Sequence, residues 1–193
     1  MNDGALLLAA GSSRRFGSDK RHHRLDDGTP LLVASVRRYA SAFAELVVVL
    51  RPDDDELAER ARDAAPRGAV TILRCPDAHR GMGHSLAWGA RHAPPWAHLF
   101  VALGDMPWVR TDTLVRLRQT AAAAPADAMV RPAHRSVPGH PVAFGRDHVP
   151  ALARLTGDRG ARALLEAHPH VRLVEVDDPG VLADLDTPPE VAP

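Results

Sequence analysis

Leu6-Leu7-Leu8-Ala9-Ala10-Gly11-Ser12-Ser13-Arg14-Arg15-Phe16-Gly17-Ser18-Asp19-Lys20 is the stretch from which the rest of the chain can be read. The apolar run Ala5 to Ala10 leaves no room for a polar face, and a glycine bounds it, as expected of a buried strand in a parallel sheet. At Gly11-Ser12-Ser13 the backbone can turn sharply and expose successive N–H groups. Arg14, Arg15 and Lys20 follow close behind. A buried strand, a turn of small residues and a group of cations together suit a polyphosphate: the turn supplies a nest of donors and the cations neutralise charge. The same residues also describe a strand, a surface turn and a solvated basic loop. Two familiar phosphate motifs are excluded. Gly11 and Gly17 have one residue too many between them for a Walker loop, and Ser18 stands where its lysine belongs. Ser13 and Phe16 occupy the later glycine positions of the dinucleotide fingerprint.

Working outward, 193 residues make most simply one domain with a full core. Lys plus Arg and Asp plus Glu each number 24, so the charge balance gives nucleic acid or an anionic membrane no purchase. The single cysteine, Cys75, excludes an internal disulfide framework and suits a reducing cytosol. No signal peptide is expected, because the basic residues follow the first apolar run instead of preceding it. The charge-free segment Ala93 to Gly104 carries Pro94, Pro95 and His98 and is too short to span a bilayer. A soluble, cytoplasmic protein is the expectation.

Strand-like and helix-like segments alternate along the chain. Thr29-Pro30 reads as N-cap and first helical residue of a helix through Tyr39 and Ala42. Leu46 to Leu50 reads as a second strand, and the Asp53–Asp55 run as the acidic start of a helix. Val70 to Leu73 gives a third strand, His84 to Arg91 a helix, and His98 to Leu103 a fourth strand. Asp112 is expected to cap a helix ending before Pro125. Met129–Arg131 and Val142–Phe144 then read as two strands joined by a Pro-Gly turn. Helices near Asp147–Leu155 and Ala161–Ala167 and a strand Val171–Val176 complete the chain. This order predicts an α/β sandwich around a mainly parallel sheet, with residues to about 125 on the nucleotide side and those from about 126 on the acceptor side.

Ligands of open α/β sheets bind beyond the carboxyl ends of the strands. One such end carries the basic loop, another Gly104-Asp105-Met106-Pro107, where Asp105 points into the crevice or merely caps a turn. Alternation along Asp184-Leu185-Asp186 offers a second carboxylate, and Mg²⁺ is commonly held by one or two carboxylates plus substrate phosphates. Gly83-His84-Ser85-Leu86-Ala87 approaches the nucleophile elbow of α/β-hydrolases, but no strand runs directly into Ser85. The glycines at 81 and 83 instead let backbone approach a flat ligand, with Ser85 at a helix start. His22-His23 and His168-Pro169-His170 lack zinc-site spacing. Gly157-Asp158-Arg159-Gly160 reads as a helix–helix turn whose polar residues could also reach the crevice.

The opening stretch resembles the signature LAAGxSxR[MF]GxxK of the MobA-like nucleotidyltransferases, and within them the molybdenum cofactor (molybdopterin) cytidylyltransferases. Leu8, Ala9, Ala10, Gly11, Ser13, Arg15, Phe16, Gly17 and Lys20 fall on its specified positions. Five further segments follow in the family's order: Gly81-Met82 with Ser85-Leu86, Gly104 to Pro107, Gly139 to Val142 with Phe144, Thr156 to Leu165, and Asp184 to Pro188. The resemblance implies a three-layer, Rossmann-like α/β/α fold. It implies transfer of CMP from CTP to the phosphate of a molybdopterin-type cofactor, with Mg²⁺, releasing pyrophosphate; a molybdoenzyme would receive the product. Leu8, Ala9, Ala10, Gly11 and Ser13 would meet the nucleotide. Arg15 would hold its β- and γ-phosphates, and Lys20 the α-phosphate and acceptor. Gly81, Gly83 and Ser85 would lie beside base and ribose, Asp105 and Asp186 on the metal, and Gly139, His140 and Pro141 along the acceptor. Arg21-His22-His23-Arg24 departs from the apolar residues relatives carry there, beside the acceptor. The same chemistry with GTP or another phosphorylated acceptor, or a non-catalytic cofactor escort, are the alternatives.

Overall fold

A computed structural model describes residues 3–13, 16–168 and 171–185. Eight strands form one sheet: β1 (Asp3–Leu8), β2 (Leu46–Leu50), β3 (Val70–Arg74), β4 (His98–Leu103), β5 (Met129–His134), β6 (Val137–Pro138), β7 (Val142–Gly145) and β8 (Val171–Glu175). They pair in the order β3-β2-β1-β4-β7-β5-β6, with β8 also on β5. The β3-β2-β1-β4 half is parallel, and β8 is parallel to β5. β7 is antiparallel to both β4 and β5.

The helices are α1 (Leu31–Ala40), α2 (Asp55–Asp63), α3 (Met82–His92), α4 (Thr111–Ala122), and the short α5 (Val149–Leu152) and α6 (Arg162–Ala167). Alternation along β1 sends Ala5, Leu7 and Ala9 to one core and Leu6, Leu8 and Ala10 to the other. The first core takes Leu32 and Val36 of α1, Leu57 and Ala58 of α2, and Leu114 and Leu117 of α4. The second takes Leu86 and Ala90 of α3 and Leu152 of α5. Helices thus cover both faces of the sheet, as the sequence predicts, and an apolar strand with no polar face is the consequence.

Several expected boundaries move. Pro30, not Thr29, holds the cap position of α1 and makes no side-chain bond there; Thr29 closes a turn whose Leu25 N–H donates to its carbonyl at 2.9 Å. Asp112 lies inside the first turn of α4 instead of capping it. α3 begins at Met82, two residues before its expected start. β5 runs on past Arg131 into a hairpin with β6, so a separate short strand precedes the Pro-Gly turn.

Candidate active site

The carboxyl ends of β1, β2 and β4 open onto a cleft of about 840 Å³. Its lining includes Leu8 through Ser13, Lys20, Gly81, Ser85 and Asp105, all expected there, and also Asp184. The turns after β1 and β4 are locked together. Gly104 N donates to Leu8 O at 2.9 Å, and a Cβ on Gly104 would lie 2.8 Å from that of Ala9, so only glycine permits this approach. The buried Ser35 hydroxyl of α1 donates to Gly104 O at 2.9 Å. Asp105 therefore leaves a peptide held from two sides.

Across the cleft, the N–H groups of Ala10, Gly11, Ser12 and Ser13 have no partner among the described residues. The carbonyls of the same loop are taken. Arg21 Nη1 donates to Ala9 O at 2.8 Å, Arg51 Nε to Ala10 O at 3.4 Å, and Arg51 Nη2 to Gly11 O. In a trans peptide the carbonyl and the following N–H point opposite ways, so two arginines on the carbonyl side turn the N–H groups of residues 10 to 12 away from themselves. Ser13, at φ 50°, bends the loop, and its Oγ accepts from Lys20 N at 3.3 Å.

Lys20 opens a 3-10 turn capped by Asp19. Its Nζ lies 2.6 Å from Asp105 Oδ2 and donates to Leu185 O at 2.9 Å. The cation of the first loop and the acid after β4 thus share one cavity. The next residue points the other way: Arg21 is 4 % exposed. It donates from Nε to Asp19 Oδ1 and from Nη2 to Asp54 Oδ1, both at 2.8 Å, with further bonds to each carboxylate. Burial works against its charge, but the bonds to Asp19 and Asp54 outweigh it and hold the guanidinium pKa above its ordinary value. Burial likewise opposes Asp19's charge, and Arg21 overrides it, keeping that carboxyl below 3.8. Within the Asp53–Asp55 run, Asp54 therefore anchors Arg21 and accepts from Arg51 N at 2.8 Å instead of bonding its own helix; Asp55 and Glu56 supply the acidic first turn of α2.

Gly83 does not face the cleft. Its N–H donates to Gly157 O at 2.7 Å, and a Cβ there would lie 2.5 Å from Thr156 O. It admits the 156–160 loop, which carries Asp158 into the cleft over Gly81; a Cβ on Gly81 would lie 2.2 Å from Asp158 Oδ1. Ser85 sits in the first turn of α3, beyond the 3-10 turn Ala78–Arg80, and the neighbouring His84 Nδ1 accepts from Gly157 N at 3.2 Å. No strand-to-serine elbow forms there.

Gly139, His140 and Pro141 lie outside the cleft lining, on the lead into β7, whose Val142 pairs with Val101 of β4. Gly139 N donates to Pro132 O and His140 N to Val181 O, each at 2.8 Å. Arg15 and Asp186 fall outside the described residues, as does Arg14. Among the described residues no three His, Cys, Asp or Glu side chains group as a metal site. Asp105 and Asp184 on one cleft still give the two hard oxygen donors that suit Mg²⁺ when a substrate supplies the rest. Arg51, Ser35 and the inward role of Arg21 escape the sequence reading. Arg51 had a signal, since it follows β2, the neighbour of β1, at the same carboxyl edge.

The comparisons with known proteins place the chain in a family and agree with its fold. The model of the MobA-like NTP transferase domain matches residues 5–172. The purine catabolism protein PucB of Bacillus subtilis is 31 % identical over 96 % of this chain and 92 % of its own length. The nicotine blue oxidoreductase of Paenarthrobacter nicotinovorans is 30 % identical over 94 % and 91 %. A 55-residue segment is 47 % identical to a probable molybdenum cofactor guanylyltransferase of Synechococcus elongatus, covering 28 % of this chain and 27 % of that protein. Among solved structures, the manganese complex of Rv0371C from Mycobacterium tuberculosis superposes with a TM-score of 0.68 at 25 % identity, covering 91 % of this chain and 88 % of that one.

Proposed function

This chain belongs to the MobA-like NTP transferase family, and on that premise we propose that it transfers CMP from CTP to the phosphate of a molybdopterin-type acceptor, releasing pyrophosphate, with Mg²⁺ in the cleft. The observation that carries this is the meeting of Lys20 and Asp105 at 2.6 Å beside a loop of unpartnered N–H groups.

The loop from Ala10 to Ser13 takes the triphosphate, its donors already aimed by Arg21 and Arg51. Lys20 leaves Asp105 for the α-phosphate and offsets the charge that gathers there in transfer. Asp105 and Asp184 are the residues that would hold a metal, which would supply neutralisation of the phosphate oxygens. An acceptor phosphate is already ionised, so no protein base is needed; the chain orients two phosphates in line and excludes water. The acceptor lies along Gly139, His140 and Pro141, at the turn into β7 beside the carboxyl end of β4. The manganese held by the Mycobacterium protein supports the divalent metal, and the guanylyltransferase segment supports a cofactor phosphate as acceptor while favouring GTP as the second nucleotide to try.

The test is pyrophosphate release from each nucleoside triphosphate, with and without molybdopterin. Release confined to CTP with the cofactor supports the reading. Release with GTP moves the base; cofactor binding without any release points to an escort.

A further inference from the structure

Arg131 differs from the other shielded arginines. Arg21 bonds two carboxylates, and Arg118 makes two hydrogen bonds to Asp3 at 2.8 Å. Arg131 projects from the middle of β5, is half-buried, and has no carboxylate partner among the described residues. Its Nε and Nη2 both donate to one acceptor, Gly139 O, at 3.2 and 3.0 Å. The guanidinium retains donors, and an unpaired cation withdrawn from water is costly unless something supplies the counter-charge.

The neighbour is equally incomplete. His140 Nδ1 is shut away from solvent and has no hydrogen-bond partner among the described residues, which in a native fold calls for an explanation. Burial pushes its pKa down to about 4, the Arg131 charge adds to this, and Asp105 opposes it. Arg131 and Asp105 therefore each lie within electrostatic reach of His140. Topology explains the order: β7 is antiparallel to both β4 and β5, so the two outer strands run the same way and their carboxyl ends flank the Gly139–Pro141 turn. That turn is fixed by Pro132 O, Arg131 and Val181 O, and a Cβ on Gly139 would lie 2.3 Å from Val181 O. Arg131 Nη1 makes no hydrogen bond among the described residues, so beside this rigid turn the Nη1–Nη2 edge is the one that can meet a planar oxyanion.

We propose that Arg131, beside His140, forms a second anion subsite on the far side of Asp105 from the triphosphate loop, taking a phosphate- or carboxylate-type oxyanion of the acceptor. The assignment rests on the transferase reading for the identity of its ligand, but the subsite itself is a property of the fold. It makes the acceptor an anionic molecule recognised at a charge and not by apolar burial alone.

The test uses calorimetry on the intact chain, with CTP and Mg²⁺ saturating so that the triphosphate loop is masked. Phenyl phosphate and benzoate are the probes, separating phosphate from carboxylate. The wild type should bind at least one of them up to millimolar concentration. Arg131→Gln should weaken that binding by about tenfold or more, and Arg131→Lys, which keeps charge without the fork, by an intermediate factor. Melting temperatures within a few degrees and an unchanged CTP affinity would show that the turn and cleft survive. Equal probe affinity in wild type and a folded Arg131→Gln chain overturns the subsite, as does a wild type that binds neither probe. The two readings fail separately. If CTP binds and the probes ignore Arg131, the subsite falls alone. If no nucleoside triphosphate binds yet the probes depend on Arg131, the transferase reading falls and the subsite stands.

Discussion

Lys20 Nζ lies 2.6 Å from Asp105 Oδ2, with side chains only 17 % and 18 % exposed. Each occupies the other: the lysine that should meet an α-phosphate neutralises the acid that should meet a metal. On the proposed function, a metal–triphosphate complex would part them, giving each a stronger partner of opposite charge.

Lys20→Met and Asp105→Asn should therefore each reduce turnover by about a hundredfold or more, the scale of losing one preorganised electrostatic contact. Because both serve one reacting phosphate, the double variant should lose little beyond the worse single one. Single-turnover pyrophosphate release measures this. Multiplying losses would mean that the two residues act at separate sites.

Arg21→Met should cost about 3 kcal/mol or more in chemical denaturation, because it leaves Asp54 and Asp19 facing each other without the cation between them. It should also slacken the Ala9–Gly11 loop through the lost bond to Ala9 O, raising the nucleotide KM. Arg21→Lys should recover only part of either effect, since one ammonium cannot bridge two carboxylates and a carbonyl. Full recovery by lysine would remove the geometric role given to the guanidinium.

The pH dependence of stability should separate two groups. Burial pushes His140 down to about 4 in the folded protein from an ordinary 6.5, so over that interval the unfolded chain binds more protons. Stability must then fall as pH drops from 6.5 toward 4, by on the order of 2 kcal/mol from this residue. Asp19 acts lower down: its folded pKa is below 3.8, so its stabilisation is present above 3.8 and is lost as pH falls through the folded value. His140→Gln should flatten the upper slope and leave the lower one. His98, depressed by burial, will keep a remnant of the upper slope. An unchanged curve between pH 6.5 and 4 would show that His140 is protonated in the folded state.

What could be read in advance divides along physical lines. β2 and β4 match the expected bounds because a strand buried on both faces writes itself as an uninterrupted apolar run. The pairing of Lys20 with Asp105 also follows, because both leave the carboxyl ends of adjacent strands. Arg21 and Arg51 were opaque. Their function lies in bonding carbonyls of Ala9, Ala10 and Gly11, and a backbone acceptor leaves no trace in residue identity. Ser35 is hidden for the same reason, since it bonds Gly104 O. Thr29 and Asp112 read as caps and are not, because capping residues and turn residues are the same few types. Gly83 reads as a ligand contact because glycine identity alone does not say what approaches it; the fold uses it to admit another loop's backbone.

Gly83→Ala sets two magnitudes against each other. Helix propensity favours alanine inside α3 by about 1 kcal/mol. The added Cβ, however, would stand 2.5 Å from Thr156 O and 2.8 Å from Gly157 O, both backbone atoms that cannot rotate aside. Relieving such overpacking costs typically about 1–3 kcal/mol, so the net effect should be destabilising. The loop that yields is the one carrying Asp158 into the cleft, and the Gly83 N–H bond to Gly157 O would stretch with it. The nucleotide KM should therefore rise while a remote change such as Arg67→Ala leaves it unaltered. Denaturation midpoints and KM for the triphosphate, measured together, decide it: a variant that gains stability with unchanged KM would show that the 156–160 loop does not depend on the glycine.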